Sequence, residues 1–320
     1  MSFLKVSQIS KHYDEENIAL QEFSLQVHKG GVVSMVGESG SGKSSLLRII
    51  AGLEVQNSGV VHLGGQKILN PKEKLVPGYD EIQLIHQEYK LYPNSSVEEN
   101  IARPLLLYNK DYQRERVEQL LDLLSLQAHR DKKPRQLSGG QQQKVAIGRA
   151  LSIEPEVLLL DEPFSSLDAI QKRELIEELK LIFEELDVTV IFVTHDVDDA
   201  LLMSEELMII QKGKLSQQGN VRDIFRKPVN EYVAKLFGNL NEIPGEEKTY
   251  IRPSDLIVND KNGVKAKVEK QQYLIHYNLL TVGLKEGNLK WKVEDTARKF
   301  QVGDEIQLDY DPLKLIRFDK

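Results

Sequence analysis

Apolar residues alternate with polar ones over Phe3–Ile9 and again over Ala19–Val27. A polar turn, Asp14-Glu15-Glu16-Asn17, separates the two runs, so the pattern predicts two strands. Val32-Val33-Ser34-Met35-Val36 is a third short run that enters a Gly/Ser-rich loop, and helical spacing begins at once over Ser44–Ala51. Strand, glycine loop and helix make the first half of a βαβ unit. Gly59–Leu69 reads as a hairpin turning at Gly64-Gly65. Val117, Leu120, Leu121 and Leu124 recur at helical spacing, and Gln141–Leu151 predicts a second helix. Val157–Leu160 and Val188–Val193 are continuously apolar, as strands buried on both faces are. Between them Leu175, Ile176, Leu179, Ile182, Phe183 and Leu186 mark an amphipathic helix. The alternation predicts an α/β fold with a mostly parallel core sheet.

The texture changes past Phe237. Residues 238–249 are polar, contain Pro244-Gly245 and read as a linker. Residues 250–320 carry short alternating runs at Val264–Val268, Tyr273–Tyr277 and Ile306–Tyr310, punctuated by Gly263, Gly283, Gly287 and Gly303. They predict a small all-β domain built as an open barrel. The expected division is 1–237, a linker at 238–249, and 250–320.

Charge narrows the candidate functions. The 320 residues hold 42 Lys and Arg against 49 Asp and Glu, a net charge of −7, which argues against broad nucleic-acid binding. There is no Cys, so disulfides, thiolate metal sites and cysteine nucleophiles are excluded. No apolar run approaches the roughly 20 residues a spanning helix needs, and Met1–Val6 does not resemble the start of a signal peptide. The expectation is a cytoplasmic protein that reaches a membrane only if another chain holds it there.

Two motifs carry chemistry. Gly37-Glu-Ser39-Gly40-Ser41-Gly42-Lys43-Ser44 fits G-x-x-x-x-G-K-[ST] between a predicted strand and a predicted helix. Such glycines let backbone N–H groups curve round phosphate oxygens, and the helix start adds free donors. Gly37, Ser39, Gly40, Ser41, Gly42, Lys43, Ser44 and Ser45 are the candidate nucleotide contacts, Lys43 as a cation and Ser44 as a hydroxyl for Mg²⁺. Alone, this loop leaves kinases, GTPases and helicases open. Val157-Leu-Leu-Leu-Asp161-Glu162-Pro163 then brings an acidic pair to the carboxyl end of a strand, where open α/β sheets bind ligands. Asp161 suits the Mg²⁺ shell, and Glu162 suits a base or orienter for an attacking water.

Leu137-Ser138-Gly139-Gly140-Gln141, some 20 residues upstream of Asp161, decides between these classes. With it the chain resembles the ABC transporter ATPases, and the order of the three motifs matches over about 235 residues. Physically, a serine, two glycine amides and a helix start form a second anion site. The resemblance implies that this site meets ATP held on the phosphate loop of another copy. Further positions match the family: Gln87 its Q-loop glutamine, which contacts Mg²⁺ or water, Asp168 in Ser166-Leu167-Asp168 its D-loop, His195 its switch histidine, and Tyr13 the aromatic that stacks on adenine. Lys144 stands where the family often has arginine, Asn94 where many importers have histidine, and Gly148 interrupts the signature helix at a cost of about 1 kcal/mol in an exposed helix.

The fold so implied is a P-loop NTPase with a mostly parallel core sheet, an antiparallel β subdomain and a helical subdomain, followed by an OB-like domain of the transport-associated type. The implied activity is hydrolysis of ATP with Mg²⁺ in a head-to-tail homodimer. Glu162, His195 and Gln87 are the catalytic candidates, and Ser44, Gln87 and Asp161 the metal candidates. Implied partners are integral membrane subunits and an external solute-binding protein, with no nucleic acid, and the place is the cytoplasmic face of the membrane. Tyr89, Leu91, Tyr92 and Pro93 offer a docking patch or core packing in equal measure. The rival readings are a soluble ABC ATPase, which the single cassette and missing coiled coil disfavour, and an exporter subunit, which the added β domain disfavours.

Overall fold

In the computed structural model, residues 3–259, 263–285 and 289–318 are described. They divide into two compact units, Met1–Val221 and Arg222–Lys320.

The first unit begins with β1 (Leu4–His12), β2 (Ile18–Val27), β3 (Val32–Val36), α1 (Lys43–Ile50), β4 (Ser58–Leu63), β5 (Gln66–Ile68) and β6 (Ile82–Ile85). Three helices follow, α2 (Val97–Ala102), α3 (Lys110–Leu123) and α4 (Gly139–Leu151). The chain then alternates through β7 (Val157–Asp161), α5 (Ala169–Glu185), β8 (Thr189–Thr194), α6 (Val197–Met203), β9 (Glu206–Gln211) and β10 (Lys214–Asn220). Two sheets result: an antiparallel one ordered β2-β1-β4-β5, and a six-stranded one ordered β10-β9-β3-β8-β7-β6. In the larger sheet all neighbours are parallel except β10, which returns antiparallel to β9.

The continuous apolar runs are explained by what lies on each face. Every residue of β7 and β8 is buried. Val157 and Leu159 face a core shared with α1 and the antiparallel sheet, with Leu4, Phe23 and Leu46. Leu158 and Leu160 face a second core, with Ile101, Leu120, Ile147 and Leu179 from the helices. A strand between two cores has no face to leave polar.

The helical part corrects one expectation. Gly148 does not lie on an exposed helix face. It is buried in α4, and a Cβ there would sit 2.8 Å from Leu124 Cδ1 and 3.2 Å from Ile101 Cδ1. Leu124 and Ile101 are themselves fully buried and have nowhere to withdraw. The glycine therefore sets how closely α2 and the end of α3 approach α4.

The second unit runs through α7 (Val221–Arg226), α8 (Glu231–Leu236), β11 (Asn241–Glu242), β12 (Thr249–Ile251), β13 (Leu256–Asn259), β14 (Val264–Tyr273), β15 (Asn278–Leu284), β16 (Lys290–Asp295), β17 (Glu305–Tyr310) and β18 (Ile316–Arg317). Its sheets are ordered β11-β12-β18 and β13-β17-β14-β15-β16, with antiparallel pairing throughout. This is the expected OB-like all-β arrangement, packed on Trp291, Val268, Leu280 and Leu308. Trp291 is 1% exposed, and its indole N–H donates to the Glu242 carbonyl at 2.8 Å. The stretch read as a linker thus contributes β11, and contacts divide the chain at 221 rather than 237. Tyr273–Tyr277 is not a strand beyond its first residue. Its alternation belongs to the turn from β14 to β15, closed by Leu274 N–H donating to the Tyr277 carbonyl at 2.9 Å, and Ile275 at its tip is 79% exposed. Gly287 lies outside the described residues.

Gly148→Ala tests the packing argument. Alanine gains about 1 kcal/mol of helix propensity, and overpacking a full core costs about 1–3 kcal/mol. The expected net effect is a loss of about 1 kcal/mol in urea or thermal unfolding; a gain of about that size contradicts the tight contact.

Candidate functional site

The carboxyl ends of β3, β7 and β8 lie side by side, because these strands are parallel neighbours. Each releases a chemically active segment there: Gly37–Gly42 after β3, Asp161-Glu162 at the end of β7, and His195 after β8. Three separate sequence motifs therefore meet at one edge.

The phosphate loop turns into α1 at Gly42, whose φ of 97° suits glycine, and a Cβ there would meet the Ala19 carbonyl oxygen at 2.2 Å. Lys43 is buried and curls back on the loop, donating to the carbonyls of Gly37 at 2.7 Å and Glu38 at 2.8 Å and to Ser41 Oγ at 3.3 Å. Burial lowers its pKa, against the opposing charges of Glu162, Asp161 and Glu38. The loop so holds a desolvated cation among carbonyl dipoles. Ser39 and Gly40 are exposed at its rim, and the Ser45 hydroxyl donates to the Tyr13 oxygen at 2.8 Å.

Ser44 Oγ donates to Asp161 Oδ1 at 2.9 Å, which joins the loop to β7. Burial raises the Asp161 pKa, and the Ser44 bond only partly opposes it. The next residue, Glu162, has a φ of 46°, unusual for a residue with a side chain, and its N–H donates to the Val193 carbonyl at 2.9 Å. Glu162 Oε2 accepts a hydrogen bond from His195 Nδ1 at 3.0 Å. A carboxylate only accepts, so this bond fixes the proton on Nδ1. Gln87, beyond β6, donates from Nε2 to Ser165 Oγ at 3.1 Å, and that hydroxyl donates to the Glu162 carbonyl at 3.1 Å. Gln87, Glu162 and His195 are thus one bonded group.

Other predicted residues stand apart from this group. Ser138 caps α4, accepting from Gln141 N–H at 3.3 Å while Gln141 Oε1 accepts from Ser138 N–H at 3.0 Å. This capping box supplies the local reason for the signature spacing. Ser138 is exposed, and Gly139 lies close enough to Leu167 that a Cβ would sit 3.0 Å from Leu167 Cδ2. The signature and the Ser166–Asp168 segment thus form one edge. Asp168 caps α5, accepting from Ile170 and Gln171 N–H groups at 3.0 Å each. Tyr13 is half exposed; its hydroxyl donates to Glu54 at 2.6 Å and Lys11 Nζ lies 4.7 Å from the ring centroid.

The residues near Gln87 split between their two expectations. Tyr89 is buried and bonds the Pro163 carbonyl at 3.1 Å and Ser166 Oγ at 2.8 Å, and Leu91 packs on the helical core. Tyr92 and Pro93 are exposed, Tyr92 beneath the Arg103 guanidinium at 4.4 Å. Lys144, the departure from arginine, pairs with Glu178 at 2.6 Å.

Sequence reading missed three contributors. Ser165 joins Gln87 to Glu162, and its place in the acidic segment gave no sign of this. His129 Nε2 lies 3.0 Å from Gln141 Nε2, a contact made by a distant turn. Lys172 lies one helical turn beyond Asp168 and bonds Asp199 at 2.7 Å and Asp196 at 3.2 Å; its i+4 spacing from the cap was the available signal.

Comparisons with known proteins give the family. The ABC transporter family profile matches residues 20–165. A spermidine/putrescine import ATP-binding protein of Thermotoga maritima is 35% identical over 99% of this chain and 87% of that protein. A sulfate/thiosulfate import ATP-binding protein of Synechococcus elongatus is 39% identical over 77% of this chain and 71% of that protein. The cassette MJ0796, solved as a dimer in a post-hydrolysis state bound to ADP and phosphate, aligns with a TM-score of 0.60 and 32% identity over 68% of this chain and 99% of that one. CbiO1 of Clostridium perfringens, part of an ABC transporter complex, aligns with a TM-score of 0.64 and 28% identity over 70% of this chain and 90% of that one. The chain therefore belongs to the ATP-binding proteins of the ABC transporter family and is an ATP-hydrolysing cassette.

Proposed function

We propose that two copies of this chain close head-to-tail around two ATP molecules and use their hydrolysis to drive import through separate membrane subunits. The observation that carries this reading is the unequal placement of the motifs. Lys43, Ser44, Asp161, Glu162 and His195 gather at one sheet edge, while Ser138 stands exposed beside the Ser166–Asp168 segment. A second copy is the economical source of the missing wall. The dimeric MJ0796 cassette supports the arrangement.

In this reading Lys43 exchanges its loop carbonyls for β- and γ-phosphate oxygens, and the amides of Gly40–Ser45 supply further donors. Tyr13 turns from Glu54 to offer its ring to adenine. Ser138, Gly139, Gly140 and Gln141 of the other copy cover the γ-phosphate, with Asp168 beside them. Glu162 accepts a hydrogen bond from the attacking water and takes its proton, and His195 holds Glu162 in place. Mg²⁺ takes hard oxygen ligands and keeps several waters, which fits the Ser44 hydroxyl and Asp161 carboxylate in contact at 2.9 Å, with Gln87 as a further oxygen donor. When bound, it would neutralise charge building on the phosphate oxygens.

Import, rather than export or a soluble task, is supported by the full-length likeness to import ATP-binding proteins. That likeness includes the region of the second unit, whose all-β part we take as the transport-associated domain following the ATPase unit. No described helix is long and apolar enough to cross a membrane. The chain would then sit on the cytoplasmic face against integral subunits, fed by an external solute-binding protein. The relatives' names span a polycation and an oxyanion. Solute choice thus falls to those other subunits.

Glu162→Gln should lower ATP turnover at least about 100-fold, keep ATP affinity, and run as a dimer in size-exclusion chromatography with MgATP. Turnover near wild type contradicts the role of Glu162. Asp161→Asn tests the buried carboxylate. Because burial raises the Asp161 pKa above the ordinary 3.8, its ionised form costs stability as pH rises through the folded value. The variant should melt higher than the parent at pH 7, by the equivalent of about 1 kcal/mol, and the gain should shrink as the pH falls toward about 4. An equal or lower melting temperature at pH 7 contradicts it.

A further inference from the structure

We infer that Lys172 is a positioning residue that ties the Asp168 segment to His195. This rests on the reading of His195 and Glu162 given above.

Lys172 belongs to the first turn of α5. Its N–H donates to the Asp168 carbonyl at 2.9 Å, so it moves with the cap. Its ammonium reaches the start of α6, 2.7 Å from Asp199 Oδ1 and 3.2 Å from Asp196 Oδ2. Asp199 is 6% exposed, so its charge depends on this partner. Asp196 immediately follows His195. Its Oδ1 accepts from the N–H groups of Asp198 at 2.9 Å and Asp199 at 3.3 Å, and its own N–H donates to Thr194 Oγ1 at 3.0 Å. One ammonium thus holds two carboxylates, and one of them, Asp196, caps the backbone beside His195.

The surroundings make this hold decisive. Lys172, Leu167, Glu162 and His195 all line one cavity of about 100 Å³. A side chain bordering a void lacks contacts on that side, so its position depends more on the bonds that remain. Without the ammonium, Asp196 and Asp199 face each other across the start of α6 as like charges, and the Asp196 cap beside His195 loses the cation that steadies it. The 3.0 Å bond from His195 to Glu162 then loses its geometry.

The link also has a direction. Ser166 and Leu167 adjoin Gly139 on the edge that would meet the other copy, and Asp168 follows them directly in the chain. Lys172 carries displacement of that edge to the histidine of its own chain's site. It touches no part of the phosphate loop in doing so.

The test uses the full-length chain with Lys172→Met, Lys172→Arg, the double variant Lys172→Met with Asp199→Asn, and His195→Ala as control. ATPase kinetics and melting temperature are measured for each. Lys172→Met should lower kcat about tenfold or more with KM for ATP within about threefold. Lys172→Arg, whose planar fork can span both carboxylates, should recover at least about half of the lost rate. The double variant removes the unpaired buried charge. It should melt like the parent yet remain slow, which keeps the test valid if Lys172→Met alone fails to fold. Wild-type kcat in the double variant, or a loss confined to KM or melting temperature, overturns the inference. Wild-type turnover in His195→Ala overturns the underlying reading instead; a slow His195→Ala beside a fast double variant overturns the role of Lys172 alone.

Discussion

A buried ammonium hydrogen-bonded to the carbonyls and hydroxyl of its own loop is the constraint on which this structure turns. Lys43 donates to Gly37, Glu38 and Ser41, and no carboxylate is among these partners. Burying a cation in this way is costly unless it is compensated. The compensation comes from the loop dipoles together with the nearby charges of Glu162, Asp161 and Glu38, and the loop keeps its shape because Gly42 passes against the Ala19 carbonyl where no side chain fits. The rest of the first unit supports that arrangement. β3 delivers the loop, α1 presents its amides, and β7 sets Asp161 against Ser44. A phosphate chain is the ligand whose charge suits this cradle.

Parallel strands do the gathering. Motifs at residues 37–45, 161–162 and 195 are far apart in sequence, yet β3, β8 and β7 are adjacent, so their carboxyl ends bring the motifs together. The same sheet separates two apolar cores, and the helical one carries the signature on its surface. The proposed catalytic groups are therefore fixed by the sheet, while the signature is fixed by its own capping box.

Much of this was legible in the sequence. Continuous apolar runs marked β7 and β8, the glycine loop marked the turn from β3 into α1, and the order of the motifs marked the family. What escaped detection depended on neighbours. Gly148 looked like a flaw in an exposed helix, because periodicity does not reveal that Leu124 and Ile101 press on that face. Tyr273–Tyr277 alternates as a strand does, but its place was decided by the pairing of Tyr273 with Asn278, which turns the chain there. Residues 238–249 looked polar enough for a linker, yet Asn241 pairs with Ile251 and its side chain accepts from Lys292 N–H at 2.7 Å. Ser165 and His129 act through contacts from other elements that no local pattern announces, and for Lys172 the i+4 spacing from Asp168 was the one local sign.

The central claim is that each ATP is enclosed by the phosphate loop of one copy and the signature of another. The most direct test mixes two inactive variants, Lys43→Ala and Ser138→Arg. A mixed dimer would contain one site with both halves damaged and one site with both halves intact. The account predicts that each variant alone is nearly inactive, and that mixing restores a substantial fraction of the wild-type ATPase rate. No recovery on mixing, with both variants folded and mixed dimers demonstrated, would contradict it.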